Sequence, residues 1–242
     1  MDYNQRKKPQ YAEQVRWGGQ AMEMNREGEK SVYFLSGIGT WKAGNFFSGA
    51  MKDLTERYRV AGVRKVHTAD FYPYGFMDDV LANGYSRFIA RQALAVSRDM
   101  YARYLRNRGG KRAFDFIVED YEAAGCGEIV LIGHSGGGVA AYAAGKMLHD
   151  KGYSIDKVIM VGSPEVWIAE DWQNRVCRVH KAGRLGDPIT WFGKPSPGAP
   201  RIRSAVNIVG GHPDYFRWNS FDQDGVSNLA KTMDAIWTCL TS

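Results

Sequence analysis

The sequence predicts an α/β fold in which a mostly parallel sheet carries helices on both faces. Short apolar runs of strand type alternate along the chain with longer segments whose apolar residues recur every three or four positions. Parallel strands need crossover connections, and the helical segments supply them. The 242 residues suffice for one large domain of this class. We therefore expect a polar lead-in segment at 1–30 and a single α/β domain at 31–242.

The predicted elements follow one another in this alternating order. The first strand, SVYFL, ends in the glycine-rich turn SGIGT. A long amphipathic helix runs from Leu81 to Tyr104, and Gly109 and Gly110 are expected to end it. The segment 70–112 is longer than a crossover requires, so part of it is expected to form a lid or insertion. The predicted strands are 31–35, 63–67, 128–133, 157–162, 175–180 and 201–210, and the predicted helices are 46–58, 81–104, 113–124, 139–148 and 226–239.

Charge and composition place few limits on function. The net charge of +6 and the pI near 9.2 would suit an anionic lipid surface, an acidic substrate or nucleic acid, but net charge alone selects none of them. The basic stretch from Arg98 to Arg112 could meet an anionic group, although such a run is more often a solvated helix face. Nucleic acid is not expected as a partner, and a membrane surface is possible but not indicated.

Two further features bear on where the protein works. No apolar run follows the charged first ten residues, which predicts a cytoplasmic protein without a signal peptide or a membrane span. The three cysteines, Cys126, Cys177 and Cys239, are widely spaced and odd in number. Such spacing is typical neither of a disulfide framework nor of a zinc site. We therefore expect free buried thiols, no disulfide and no metal.

The sequence Gly133-His134-Ser135-Gly136-Gly137 lies directly between a strong strand and a helix of small residues. It matches G-x-S-x-G, the pattern of a nucleophile elbow, in which a strained turn exposes a serine and the flanking positions must lack bulk. The alternative is a glycine-rich turn that cradles phosphate at a helix N-terminus. Partner residues that follow in the right order favour the elbow, with Ser135 as the nucleophile.

A serine hydroxyl needs a base within hydrogen-bond reach and an acid that orients the base. His212 is the histidine that follows Ser135 just beyond the last predicted strand, which makes it the candidate base. Asp187 follows the 175–180 strand in the turn GDPI and is the candidate acid. The main rival is Glu165, and Asp214 is more typical of a loop cap. Asp187 could also be a turn residue that bonds its own backbone.

Hydrolysis through a serine also needs two donors for the oxyanion of the tetrahedral intermediate. The amide of Gly136, directly after the nucleophile, is the first candidate. The turn after the first strand offers the second, from the amide of Ile38 or Gly37. A simple glycine turn is the alternative explanation of that segment.

These motifs resemble those of the α/β-hydrolase superfamily and, within it, the class 3 (fungal-type) lipases. The resemblance covers residues 31–220 and rests on GHSGGGVAA, VGSP at 161–164, GDPI and HPDYF at 212–216. It implies the α/β-hydrolase fold, triad roles for Ser135, Asp187 and His212, and an oxyanion turn at FLSGIGT. The chain departs from these lipases at Gly136, where they commonly carry Leu, and in lacking their Arg-Gly pair after the first strand.

The function predicted from these residues is hydrolysis of a small-molecule or lipid carboxylic ester through an acyl-serine, without a cofactor. A thioesterase or amidase would use the same parts, and a non-catalytic scaffold with this fold is the alternative of a different class. A soluble esterase for short acyl chains is favoured over a lipase. Six aromatic residues near the predicted loops could line a pocket or pack in the core: Trp41, Phe46, Phe47, Trp167, Trp172 and Trp191.

Overall fold

The computed structural model describes residues 28–38, 46–75, 85–102, 106–193 and 198–242, with the backbone alone for 85–89. Within these ranges the strands and helices alternate as predicted. The strands are β1 (Glu29–Leu35), β2 (Lys65–Phe71), β3 (Glu128–His134), β4 (Ile155–Val161), β5 (Val176–Lys181) and β6 (Ile202–Val206). The helices are α1 (Ser48–Val60), α2 (Tyr85–Tyr101), α3 (Arg108–Ala123), α4 (Gly136–Asp150) and α5 (Asn228–Leu240).

The six strands form one parallel sheet in the order β2-β1-β3-β4-β5-β6. Along β1, Val32 and Phe34 pack in a cluster with α1 and α5, whereas Tyr33 and Leu35 pack in a second cluster with α3 and α4. A strand buried on both faces is apolar throughout rather than alternating, which explains the continuous run in the sequence. The predicted parallel sheet covered on both faces is therefore confirmed.

The order of the strands creates a crevice between β1 and β3. The chain leaves β1 towards β2 on one side and later returns to place β3 on the other side of β1. Ligands of parallel sheets bind at such a switch point, beyond the carboxyl ends of the strands. Leu35 pairs with Gly133, so the turn after β1 and the turn after β3 start side by side.

Gly109 and Gly110 lie in the first turn of α3 and do not end the preceding helix, contrary to the prediction. A Cβ on Gly109 would lie 2.5 Å from the ring of Tyr74, and one on Gly110 would lie 2.5 Å from the Cβ of Ala143. Both glycines therefore permit close packing at a helix start that is capped by Asn107, whose side chain accepts from the Gly110 amide at 2.6 Å.

The predicted boundaries of the outer segments also change. Residues 1–27 of the lead-in lie outside the described residues, while Glu29 and Lys30 already belong to β1. In the predicted lid segment 70–112, the described residues form the end of β2, the helix α2 and the start of α3. Residues 76–84 and 103–105 of that segment lie outside the description. No helix among the described residues is long and apolar enough to cross a bilayer.

The expectation of three free thiols is wrong for two of them. Cys177 in β5 and Cys239 in α5 form a disulfide with a Cα–Cα distance of 6.0 Å, and both residues are buried. Their separation of 62 residues gave no sign of the pairing, because it arises only when α5 packs on the sheet beside β5. Cys126 is free and buried, as expected.

Candidate active site

Ser135 occupies the sharp turn between β3 and α4. Its backbone has φ 57° and ψ −130°, and it is the non-glycine residue with positive φ in the described parts of the chain. Such a conformation costs on the order of 1–3 kcal/mol and persists only when the surroundings enforce it. Those surroundings are tight: a Cβ on Gly133 would overlap the Gly137 backbone, and one on Gly137 would overlap the Leu35 carbonyl. The glycines of the motif are thus required where strand and helix meet.

The structure brings the three predicted residues into one hydrogen-bonded chain. His212 Nε2 lies 2.8 Å from Ser135 Oγ, and His212 Nδ1 lies 2.7 Å from Asp187 Oδ2. Asp187 lies in the loop after β5 and His212 in the loop after β6, at the carboxyl edge of the sheet where Ser135 also lies. This arrangement can move a proton from the serine to an imidazole whose other nitrogen is held by a carboxylate.

Asp187 is almost completely buried and accepts three hydrogen bonds. Its Oδ1 accepts from the Ile189 amide at 3.0 Å, and its Oδ2 accepts from His212 and from the hydroxyl of Tyr215 at 3.1 Å. Burial alone would raise the pKa of Asp187, but the hydrogen bonds and charge of His212, together with the other two donors, outweigh burial and lower it. Asp187 is therefore an anion that both caps its own turn and holds His212 in place.

The two rival carboxylates have other partners. Glu165 forms an ion pair with the buried guanidinium of Arg178. Asp214 accepts from the Gly211 amide at 2.7 Å and pairs with Arg217 at 2.6 Å, which is the loop-cap role expected for it. Asp187 is thus the carboxylate placed against the imidazole.

Arg178, which the sequence reasoning missed, ties together the loops that follow β4 and β5. Its guanidinium donates to the carbonyls of Ser163 at 3.3 Å and Thr190 at 2.8 Å, besides pairing with Glu165. Burial lowers the pKa of Arg178 more than Glu165 raises it. An arginine between apolar residues of a strand was the available signal, because a buried charge requires partners.

His134, the variable residue of the elbow motif, contacts the candidate base. Its Nε2 donates to the His212 carbonyl at 3.1 Å, and the two imidazole rings stack with centroids 5.0 Å apart. Phe46 and Phe216 pack against the His134 ring. Burial, and then the charge of His212, lower the pKa of His134 to about 3. His134 is therefore neutral near pH 7 and holds both the backbone and the ring of His212.

The candidate oxyanion donors lie beside the serine. A Cβ on Gly37 would lie 2.7 Å from Ser135 Cβ and 2.9 Å from the Gly136 nitrogen, so the turn after β1 closely approaches the elbow. The Gly136 amide begins α4, where the first amides have no intrahelical acceptor. Neither the Gly37 nor the Ile38 amide donates to an acceptor in the described parts of the chain. All three amides are therefore available to a ligand.

The aromatic residues considered as pocket lining divide between core and surface. Phe47 and Trp172 are fully buried in the two core clusters, and Phe46 is partly buried against the first. Trp167 and Trp191 are 62% and 49% exposed, respectively. Trp41 lies outside the described residues. Among those that the structure describes, the exposed tryptophans and Phe46 remain candidates for contact with a substrate.

The comparisons with known proteins establish the fold. No protein-family model and no curated protein matches the sequence. The NocB thioesterase domain, solved as a covalent complex with a fluorophosphonate nocardicin G analogue, matches with a TM-score of 0.51 and 12% identity, covering 88% of this chain and 95% of that chain. A second structure of that domain gives 0.50 and 13%, covering 89% and 95%. A CIB-like hydrolase from Thermoplasma acidophilum gives 0.44 and 16%, covering 90% and 86%.

The chain has the α/β-hydrolase fold, as the sequence predicted. At such low identity the likeness concerns the fold alone. The resemblance to class 3 lipases stays a prediction, since none of these matches bears on it.

Proposed function

We propose that this protein is a serine hydrolase that cleaves a carboxylic ester through an acyl-serine intermediate. The observation that carries the proposal is the hydrogen-bonded chain from Ser135 through His212 to Asp187. The strained backbone of Ser135 supports the same conclusion, because such strain persists at a site where it serves a function. A non-catalytic scaffold has no physical need for either feature.

The geometry suits a two-step acyl transfer. His212 Nε2 takes the proton of Ser135 Oγ while the oxygen attacks the ester carbonyl carbon. The amide of Gly136, together with that of Gly37 or Ile38, donates to the oxyanion that forms. His212 then gives its proton to the departing alcohol as the carbon–oxygen bond breaks. Water, deprotonated by His212, attacks the acyl-serine, and the carboxylic acid leaves as Ser135 recovers its proton.

The side chains around the elbow favour a short acyl chain. A Cβ on Gly136 would lie 2.6 Å from a methyl group of Val96, so α2 packs directly over the start of α4. Ile38 packs against the same small cluster, which includes Val96 and Tyr74. An acyl chain gains about 0.8 kcal/mol per buried CH₂ only where there is room for it. We expect the gain to stop after a few carbons.

A thioester is the second candidate substrate. The site stabilises the oxyanion and the imidazolium, and both form whether the leaving group is an alcohol or a thiol. The NocB domain, which matches this chain with a TM-score of 0.51, is a thioesterase domain. An amidase would use the same groups, with His212 giving its proton to the departing amine.

Hydrolysis of matched oxygen esters and thioesters, from acetyl to palmitoyl, tests the proposal. We expect kcat/KM to be highest for short acyl chains, and we expect Ser135→Ala to lose activity on every substrate. Activity that rises to palmitoyl and increases at an oil–water interface would identify a lipase instead. Absence of turnover with oxygen esters, thioesters and amides alike would favour the scaffold.

A further inference from the structure

A cavity of about 500 Å³ lies where α2 leads into α3, and four arginines line it. Arg91 and Arg98 project from α2, seven residues apart, so their backbones lie on one face of the helix at a spacing of about 10 Å. Arg108 begins the next helix, α3, and Arg106 lies two residues before it. Arginines from two segments of the chain therefore line one cavity.

Among the residues that the structure describes, these four arginines have no acidic partner. All four are exposed, and none forms an ion pair with a carboxylate in the ranges that the structure describes. Other arginines of the chain do have such partners, as Arg59 pairs with Glu56. Cations gathered without a counter-charge repel one another, and a bound anion would remove that repulsion.

Among the described lining residues of the cavity, the single carboxylate is Asp99, and it is already engaged. It is buried, and its oxygens accept from the amides of Arg108 and Gly109 and from the hydroxyl of Tyr74, at 2.9, 2.7 and 3.1 Å. Asp99 thus caps the first turn of α3, where the helix dipole favours a negative charge. It offsets one of the four positive charges, but its carboxylate forms no ion pair with a guanidinium group of the described residues.

We propose that this cavity, here called the arginine pocket, binds a phosphate-bearing group with at least two negative charges. Guanidinium groups bind phosphate oxygens through paired hydrogen bonds, and a volume of about 500 Å³ is typical of sites for small ligands. A cavity with a partly apolar lining, to which Leu94 and Ala95 contribute, suits a discrete group better than the long charged stripe that a nucleic-acid backbone requires.

Helix α2 borders both the arginine pocket and the candidate active site. Ala95 lines the pocket and also packs with Val96, whose side chain lies against the position of Gly136. A phosphate held in the pocket could therefore belong to the same molecule as a group at Ser135. The binding itself requires no catalysis and goes beyond the hydrolase proposal.

Calorimetric titration with inorganic pyrophosphate at low ionic strength tests the arginine pocket. We expect wild-type protein to bind pyrophosphate. We expect R98Q/R106Q to raise the dissociation constant by about tenfold or more, given the strength of charge-assisted hydrogen bonds. The matched control R59Q/R201Q removes the same charge from exposed arginines elsewhere and should stay within about twofold of the wild type. Ser135→Ala should bind as the wild type does, which separates this site from the proposed catalysis.

Two further arms identify the source of the phosphate. If vesicles of phosphatidic acid and phosphatidylcholine sediment wild-type protein but not R98Q/R106Q, the phosphate belongs to a lipid head group. If only soluble phosphates bind, it belongs to a soluble ester, and either result supports the pocket. Absence of pyrophosphate binding, or equal weakening in both double variants, would overturn it. A 20-nucleotide strand that binds more tightly than pyrophosphate, with equal loss in both variants, would show a nucleic-acid surface instead.

Discussion

At the scale of single residues, Ser135 owes its position to neighbours that have no side chain. The glycines on either side let the strand, the turn and the helix approach within contact distance, and the sequence revealed this need through its spacing. The order of Ser135, Asp187 and His212 along the chain could likewise be read from motifs. The contact between His134 and His212 could not, because the motif leaves that position variable and the contact depends on the loop after β6.

Gly37→Ala tests the oxyanion turn. The added Cβ would lie 2.7 Å from Ser135 Cβ and 2.9 Å from the Gly136 nitrogen, displacing donors from the serine. The backbone of Gly37 has no positive φ, so alanine itself causes no strain there. We expect kcat to fall by about 10²–10³, as for the loss of one oxyanion donor, with a fall in melting temperature of several degrees from the close contacts. Full activity in the folded variant would show that this turn does not serve the oxyanion.

His134→Phe tests the support of His212 by its neighbour. Phenylalanine keeps a ring in the stack but cannot donate to the His212 carbonyl, a hydrogen bond worth about 1 kcal/mol. We expect a fall in kcat of about fivefold to tenfold, with KM little changed. His134→Gln, which can retain the donor, should recover part of the loss. Equal activity in all three proteins would leave His134 without a role in positioning.

His134 also makes stability depend on pH. Because its pKa falls to about 3 in the folded protein, the unfolded chain binds more protons than the folded chain between about pH 3 and 6.5. Stability therefore rises with pH across that window, with a contribution of at most about 1.4 kcal/mol per pH unit from this group. Urea unfolding between pH 4 and 7 should show a shallower dependence in His134→Phe than in the wild type. A parallel pair of curves would contradict the buried neutral imidazole.

At the scale of elements, the site depends on loops that a buried arginine joins. Arg178 in β5 donates to Thr190, in the turn that Asp187 begins, and pairs with Glu165 after β4. Sequence patterns located the strands before these loops and favoured Asp187 as the acid, but they left Glu165 as a rival. Arg178 removes that rival, because a buried arginine requires a partner and Glu165 is the one it has.

Asp187→Asn and Glu165→Gln separate the two carboxylates. Asp187 touches the imidazole, so its amide variant should lower kcat by about 10⁴ through loss of the correct tautomer. Glu165 acts only through Arg178, and its variant should lower kcat far less while reducing the melting temperature. Steady-state kinetics with thermal unfolding of both proteins checks this order. The reverse order in kcat would assign the acid to Glu165.

The helices show where sequence patterns fail at this scale. A pair of glycines predicts a helix end, yet Gly109 and Gly110 lie inside α3 because Tyr74 and Ala143 leave no space for side chains. Such a requirement arises from contacts between distant segments, and hydrophobic periodicity does not reveal those contacts.

At the scale of the whole molecule, the parallel sheet and its two helical layers could be predicted because buried strands and amphipathic helices leave strong patterns. The disulfide could not, since residues far apart in the sequence meet only through the packing of α5 on the sheet. The cytoplasmic location stays a prediction. The disulfide argues against it, because disulfides persist mainly in oxidising compartments.

Reduction of the disulfide should destabilise the fold. The bond between Cys177 and Cys239 closes a long loop, and loops of this length give about 2–4 kcal/mol of stability. Urea unfolding with and without dithiothreitol should differ by that amount in the wild type and not at all in C177A/C239A. Unreduced, denatured protein should show one reactive thiol, that of Cys126, and three after reduction. Three thiols without reductant would contradict the bond.

Covalent labelling of the serine tests the central claim most directly. A fluorophosphonate probe reacts with a serine only when an adjacent base activates it, so wild-type protein should gain one adduct that peptide mass spectrometry assigns to Ser135. Ser135→Ala should remain unlabelled, and His212→Ala should label far more slowly, with both variants folded as the wild type is. Labelling of another residue, or equal labelling of wild type and Ser135→Ala, would show that Ser135 is not the nucleophile.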